Sequence, residues 1–484
     1  MNHKLVVKIL GAILCIEAVC MLLPLLIALF THGSDVFSFG ITILLCGGLG
    51  ILLYCIRTDG AKMQPRDGFA IVGLAWLLLS ATGALPYLIS GAVPTYADAY
   101  FEAASGFTTT GASILPVIEG KPLGILFWRA ETQWMGGMGI LVATLALLPK
   151  LGEGSINLMR AESPGPTVTK LVPKTAETAR ILYFIYIGLT VAEILCLRLA
   201  GMSLYDSITH SFATISTGGF SVRNASIAAY HSELINWIII VFMFLSGINF
   251  SLLFAVICRK FKEAFRDEEL RFYTGLAVGS TLLICLNLLV QRGIHFGESF
   301  SEAAFQVVSI MTTTGFVTAD YDRWPTFSQT ILILIMFAGA CAGSTAGGVK
   351  AVRMVTLFKS LKRELRKILH PREVNVVRIN GRRVEETTVS SVQIFFFAYL
   401  IILLVVTLIV SWDDIGFSSA FSATLTCISN VGPGLGAVGP TQNFSRLSGV
   451  SKMVLGITML LGRLELMPLM VLVFPSLWAR KKHM

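Results

Sequence analysis

The sequence predicts an all-α polytopic membrane protein: two leading helices, then four units of helix, half-length segment, polar loop and helix. Three observations support this. Of 484 residues, 54% are hydrophobic and 14% charged, with mean hydropathy +0.74; soluble chains carry roughly 25% charged residues. Apolar runs longer than about 18 residues recur along the chain. Four polar, Gly-ended stretches lie between pairs of such runs: Phe107-Thr-Thr-Thr-Gly111, Thr214-Ile-Ser-Thr-Gly218, Met311-Thr-Thr-Thr-Gly315 and Ile428-Ser-Asn-Val-Gly432, their glycines 107, 97 and 117 residues apart.

Ten spanning helices are expected, at 8–30, 37–56, 69–89, 124–148, 178–200, 234–258, 271–291, 327–350, 390–411 and 449–474. The first follows Lys4 and Lys8, but its run is too long for a signal peptide and no small-residue cleavage site follows, so it reads as a retained helix. Half-length segments fall at 97–107, 203–214, 299–311 and 416–427. About 12 helical residues cover about 18 Å, half a bilayer, so these segments are re-entrant and must be buried in protein or line a watery cavity. The chain thereby divides into leading helices (1–66), unit one (67–150), unit two (177–258), unit three (270–352), a basic linker (353–388), unit four (389–475) and a basic tail (476–484).

Charge assigns the sides. With the N-terminus inside, the inner loops hold 28 Lys and Arg and the outer loops four: Lys121, Arg223, Arg323 and Arg446. This is the positive-inside pattern, so the net charge of +9 reflects topology rather than nucleic-acid binding. The outer loops carry twelve Asp and Glu, including Asp98, Glu102, Glu298, Glu302, Asp413 and Asp414. An acidic vestibule that concentrates cations and ordinary soluble loops both fit them. The nine cysteines show no metal spacing and read as reduced, mostly buried thiols.

Four equivalent loops on one face read as the walls of a single central pore. A half-helix entering from outside points its partly negative C-terminus inward. The residues after it must turn successive carbonyls toward an axis, which glycine permits. The expected cation-binding positions are Thr109, Thr110 and Gly111; Ser216, Thr217 and Gly218; Thr313, Thr314 and Gly315; Asn430, Val431 and Gly432. No cluster of His, Cys or acids suggests catalysis, so no enzyme and no organic cofactor is expected.

These loops resemble those of the K+ transporter superfamily that includes TrkH, KtrB and the fungal Trk proteins. Gln133-Trp-Met-Gly-Gly-Met-Gly-Ile140 and the segment from Ala338 to Lys350 are similar to that family's motifs after the first and third loops. The resemblance implies a K+-channel-like fold with K+ (Rb+ as analogue) as permeating ion, a bacterial inner membrane location with both termini cytoplasmic, and a homodimer. The fourth loop departs from the pattern, with Asn430 and Val431 in place of hydroxyl residues.

Glycines 339, 343, 347 and 348, with Ser344 and Thr345, weaken the second helix of unit three, each glycine by about 1 kcal/mol relative to alanine. Close helix packing and an unwound loop both fit. The resemblance implies a gating loop, comprising Gly343, Ser344, Thr345, Gly347 and Gly348, with Lys350 near the inner mouth. Arg463, within the last apolar run, is costly in lipid at about 2.5–3.5 kcal/mol. It would pair with Glu465, Glu17, Glu131 or Glu193, or stand beside the permeation path; the resemblance implies the latter. Asn249 occupies the matching place in unit two.

Residues 351–388 predict a basic amphipathic helix, then a hairpin turning at Asn380-Gly381. Contact with membrane lipid headgroups and docking of a TrkA-like nucleotide-binding cytoplasmic ring, implied by the resemblance, are the two expectations. The alternative function is a Na+- or H+-coupled secondary transporter, which would show inverted repeats.

Overall fold

The computed structural model describes residues 2–58, 64–139, 175–293, 295–373 and 375–473. The sequence-predicted end of the 124–148 span and the tail 476–484 lie outside them. Apart from one two-stranded hairpin, every described element is helical.

The leading helices are α1 (His3–Cys20), α2 (Leu22–Phe30) and α3 (Val36–Tyr54). The expected single span at 8–30 is interrupted at Met21, because Pro24 has no N–H to continue the ladder. Unit one holds α4 (Pro65–Gly83), α5 (Leu85–Ile89), the half-length α6 (Tyr96–Phe107) and α7 (Leu123–Gly137). Unit two holds α8 (Thr175–Leu199), the half-length α9 (Leu204–Ile215), α10 (Glu233–Ser246) and α11 (Phe250–Ile257). After the short α12 (Phe261–Arg266), unit three holds α13 (Glu268–Arg292), the half-length α14 (Phe296–Met311) and α15 (Thr326–Ala338). The linker is α16 (Ala351–Leu369) and the hairpin β1 (Arg378–Ile379) and β2 (Arg382–Arg383). Unit four holds α17 (Glu386–Val410), the half-length α18 (Phe417–Ser429), α19 (Gly449–Arg463) and α20 (Met467–Val473).

Six described helices, some of them joined across a kink, are long and apolar enough to cross a membrane; the pair α10 and α11, bent by 103°, would make a seventh. Their outer faces keep large apolar side chains exposed, among them Leu199 at 88% and Val290 at 76%. Such surface has no place in water and marks the lipid contact. The half-length helices are instead sheathed in protein: on α6 every residue from Asp98 to Phe107 is buried. Thr95 and Ser203 start α6 and α9 by accepting the N–H of Asp98 and Asp206, three residues on, as capping side chains do.

The second helix of each unit does not run as expected. The sequence predicts continuous spans at 124–148, 234–258, 327–350 and 449–474, whereas α7, α10, α15 and α19 all stop after 13–15 residues, about 20 Å of rise. In unit two the chain turns at Gly247-Ile248-Asn249, and Asn249 restarts the helix by accepting the Ser251 N–H at 2.8 Å. In unit three Gly339 adopts φ +63, ψ −167, which only glycine readily takes. In unit four Glu465 and Leu466 are both left-handed. Residues 339–350, expected as the end of a helix, form an unwound segment.

The Asn380-Gly381 turn closes its hairpin with Arg378 opposite Arg383 and Ile379 opposite Arg382, both turn residues having positive φ. All nine cysteines are free; Cys55 and Cys258 are exposed rather than buried.

The leading pair packs through glycine. A Cβ on Gly50 would lie 2.8 Å from Cys15 Sγ and 2.9 Å from Gly11 O, whereas one on Gly48 would meet nothing within 4 Å. Gly50→Leu is therefore expected to lower the thermal unfolding midpoint in detergent, at a cost of about 1–3 kcal/mol. Gly48→Leu, measured alongside by scanning fluorimetry, leaves the midpoint unchanged.

Candidate functional site: a ring of four loops

The four half-length helices end in one repeated cap. At its centre is a left-handed residue: Thr109 (φ 53), Thr217 (φ 57), Thr313 (φ 58) and Asn430 (φ 56). Its N–H donates three residues back, to Gly106, Thr214, Ile310 and Cys427. The next N–H donates five residues back: Thr110 to Ser105 at 2.9 Å, Gly218 to Ala213 at 2.7 Å, Thr314 to Ser309 at 2.9 Å and Val431 to Thr426 at 2.9 Å. Glycine usually occupies the left-handed position. A non-glycine residue there costs about 1–3 kcal/mol and persists only where its surroundings fix it.

Two residues past each cap centre the chain turns left-handed again, at Gly111 (φ 79), Gly219 (φ 75), Gly315 (φ 80) and Gly432 (φ 103). This corrects the register of the second loop. Thr217-Gly218-Gly219 matches Thr109-Thr110-Gly111, so Gly218 stands where the other loops have Thr110, Thr314 and Val431. Gly219 is the residue that sequence reasoning missed. The available signal was Gly219-Phe220, which repeats Gly315-Phe316.

These four glycines close a ring. A Cβ on Gly111 would lie 2.2 Å from Gly218 O, one on Gly219 1.7 Å from Thr314 O, one on Gly315 2.1 Å from Val431 O and one on Gly432 2.7 Å from Thr110 O. Each loop thus abuts the next in the order one, two, three, four and back to one. Side chains cannot enter these contacts, so positive φ and close approach require glycine twice over. Gly111, Gly219, Gly315 and Gly432 together line an open cavity of about 100 Å³.

Behind the ring, side chains from the half-length helices hold the returning chain. The Glu102 carboxylate accepts from Ser113 Oγ (2.9 Å), Ile114 N (2.9 Å) and Arg129 Nε (2.7 Å). His210 Nδ1 lies 2.7 Å from Asp206 O, so it is the protonated nitrogen, and Nε2 accepts from Ser221 Oγ at 2.9 Å. Ser422 Oγ accepts from Leu435 N at 3.0 Å. Gly218 lacks the side chain its counterparts have, and Gln133 fills the gap: Nε2 donates to Gly218 O at 2.6 Å and Oε1 accepts from Phe220 N at 3.0 Å.

Several acids expected to face a vestibule are tied inside the protein. Glu102 is fully buried against Arg129, and Asp98 accepts from Lys452 Nζ at 2.6 Å. Asp206 binds Arg223 at 2.9 Å and Tyr230 Oη at 2.8 Å. The cavity lining includes Arg129 and Arg223.

On the other side of the ring lies the unwound segment 339–350. Gly347 N donates to Thr313 Oγ1 at 2.7 Å, and a Cβ on Gly347 would lie 2.4 Å from Ser429 O. Thr345 Oγ1 donates to Ile215 O at 3.0 Å, at the C-terminus of α9. A Cβ on Gly343 would meet the Asn249 side chain at 3.2 Å. Ser344 Oγ and Lys350 Nζ donate to carbonyls within the segment, Cys341 O and Ala346 O. Arg463 donates to Thr345 O (2.6 Å), Gly136 O (2.6 Å) and Gly137 O (2.7 Å), bridging the segment to the C-terminus of α7. The carboxylate of Glu465, one of the expected Arg463 partners, binds Arg353. The segment and Arg463 between them touch all four units.

Arg129→Met would leave the Glu102 carboxylate buried without its countercharge. A loss of about 3–5 kcal/mol is expected, read as a lower thermal midpoint in detergent, while the double change Glu102→Gln with Arg129→Met recovers part of it.

The TrkH family model, described as cation transport protein, matches residues 32–479. The chain is 39% identical to the Trk system potassium uptake protein TrkH of Escherichia coli K12 over 99% of its own length and 100% of that protein's. It is 36% identical to TrkG of the same organism, over 98% of each. The crystal structure of the potassium transporter TrkH from Vibrio parahaemolyticus superposes with TM-score 0.89 at 36% identity, covering 99% of this chain and all of that one. The chain belongs to the TrkH family of cation transport proteins.

Proposed function

We propose that this protein takes up K+ across the bacterial inner membrane through a channel-like pore whose selectivity filter is the ring of four loops. The observation that carries this reading is the closed sequence of contacts among Gly111, Gly219, Gly315 and Gly432. The four helix caps before it aim partly negative helix ends at one place, where a cation that has shed its water is stabilised by backbone and hydroxyl oxygens. The filter positions are Thr109, Thr110 and Gly111; Thr217, Gly218 and Gly219, with Ser216 behind them; Thr313, Thr314 and Gly315; and Asn430, Val431 and Gly432. The names of the relatives supply the ion.

Segment 339–350 is the gate. It lies against Thr313 and the carbonyl of Ser429, and Arg463 pins it to α7, placing a fixed positive charge beside the path. Gly343 and Gly348, both at positive φ, are the hinges. The charge bias of the loops supports a cytoplasmic position for both termini, and on that side the hairpin receives a nucleotide-binding regulatory ring; the protein works as a homodimer. Four units in one rotational order support a pore over the inverted repeats of a rocking, ion-coupled transporter.

Rubidium tracer uptake into proteoliposomes containing this chain tests the reading. Uptake should depend on internal K+ and be weak with internal Na+. Gly219→Ala should reduce it by about a hundredfold, since a backbone clash of this kind costs about 3 kcal/mol. Gly218→Ala, whose Cβ would first meet the Gln133 side chain at 2.4 Å rather than backbone, should cost less, because a side chain can shift where a neighbouring loop's carbonyl cannot. Equal uptake with Na+ inside, or insensitivity to Gly219→Ala, would contradict the filter.

A further inference from the structure

One carboxylate ties residue 342, within the unwound segment, to residue 352, just after it. Glu269, in the first turn of α13, is 7% exposed, and its Oε1 accepts from Ala342 N at 2.6 Å and from Val352 N at 3.1 Å. These two amides bracket residues 343–351. Around them, Ala351 N donates to Ala340 O, Cys341 N to Gly247 O and Phe250 N to Gly343 O. The Glu269 contacts tie the segment by side-chain hydrogen bonds to α13, a helix outside it. Charge-assisted hydrogen bonds to buried backbone amides are among the stronger single contacts available.

The same turn of α13 is gripped from the cytoplasmic hairpin. Asn380, the left-handed residue at the hairpin tip, accepts the Glu268 N–H at 2.8 Å through Oδ1 and donates to Asp267 Oδ2 at 2.7 Å through Nδ2. Asp267 is the N-cap of α13, accepting from Leu270 N at 2.9 Å. Lys359 of α16 binds the Glu268 carboxylate and donates to Arg378 O at 2.7 Å. Residues 267, 268 and 269 therefore form a rigid link three residues long. The exposed hairpin tip holds one end, and residues 342 and 352 hang from the other.

We propose that Glu269 is the positioning residue of segment 339–350, fixing it closed beneath the ring, and that displacement of the hairpin tip frees the segment through the Asp267–Glu269 turn. This rests on reading the segment as the gate. A partner that engages the hairpin would compete for Asn380, loosen the N-cap and shift the carboxylate away from at least one of its two amides. A capped first turn has little slack, because an N-cap fixes the backbone of the two or three residues after it. Glutamine at 269 keeps the shape and one acceptor oxygen for the two amides but loses the charge that strengthens both hydrogen bonds.

Cys341 supplies a direct readout. It lies within the segment and is fully buried. Its modification by a charged thiol reagent, quantified peptide by peptide by mass spectrometry so that the other cysteines do not interfere, reports opening of the segment. Rubidium uptake by the same preparations reports the pore. In Glu269→Gln we expect Cys341 labelling and basal uptake both to rise by about tenfold, the size expected when two hydrogen bonds to a carboxylate become neutral ones. Asn380→Ala, at the exposed hairpin tip outside the apolar spans, should raise labelling by a smaller factor. Raised labelling with unchanged uptake would support the Glu269 clamp and overturn the segment as the gate. Unchanged labelling in Glu269→Gln would overturn the clamp whatever the uptake does. Unchanged labelling in Asn380→Ala would overturn the link to the hairpin, and that variant decides alone if Glu269→Gln does not fold.

Discussion

Four backbone carbonyls lie where four glycine side chains would be. The contacts of Gly111, Gly219, Gly315 and Gly432 with the carbonyls of residues 218, 314, 431 and 110 bring the loops closer than any other residue allows. The rest of the structure serves that contact. Left-handed caps at three threonines and one asparagine end the half-length helices abruptly, so that the chain leaves each helix in the same direction. Glu102, His210 and Ser422 then hold the returning strands from behind. Each supplies a different chemistry to the same task, so fourfold geometry is reached without fourfold sequence.

The second helices obey a related constraint. Gly136 and Gly462, at matching places near the ends of α7 and α19, approach the half-length helices so closely that a Cβ would lie 1.8 Å from Phe107 O and 2.1 Å from Ile428 O. Helices packed this tightly around the ring leave no straight path past it, and each of the four stops there. The freed backbone groups need partners at membrane depth. They find them in one another, in the Arg463 guanidinium and in Glu269. An unwound segment is tolerable there because many of its amides and carbonyls are already engaged.

Much of this was legible in the sequence, and the failures share a cause. The membrane class, the repeats and the Asn380-Gly381 hairpin follow from local patterns of hydropathy and turn chemistry, which a single sequence displays. In the second loop the Thr217-Gly218 pair imitates the Thr110-Gly111 and Thr314-Gly315 pairs of the first and third, so the ring glycine lies one residue further on than local pattern suggests. Gly218 looks like the ring glycine until the carbonyl of Thr314 is seen against Gly219. The break at Gly247–Asn249 is hidden inside an apolar run long enough for a continuous span, and the one at Glu465 lies in a run where Arg463 and Glu465 interrupt the apolar pattern. The acids of the half-length helices fit a vestibule or soluble loops equally well in sequence, because their partners are remote. Lys452 lies 354 residues from Asp98, and nothing local announces the pair.

The central claim is that a cation sheds its water inside this ring. Anomalous diffraction from crystals soaked in rubidium or thallium salts tests it most directly. The account predicts anomalous density on the axis enclosed by Gly111, Gly219, Gly315 and Gly432, lost when potassium is added in excess. Rubidium bound elsewhere with the ring empty, for example beside the buried carboxylates of Glu17 or Glu193, would contradict it.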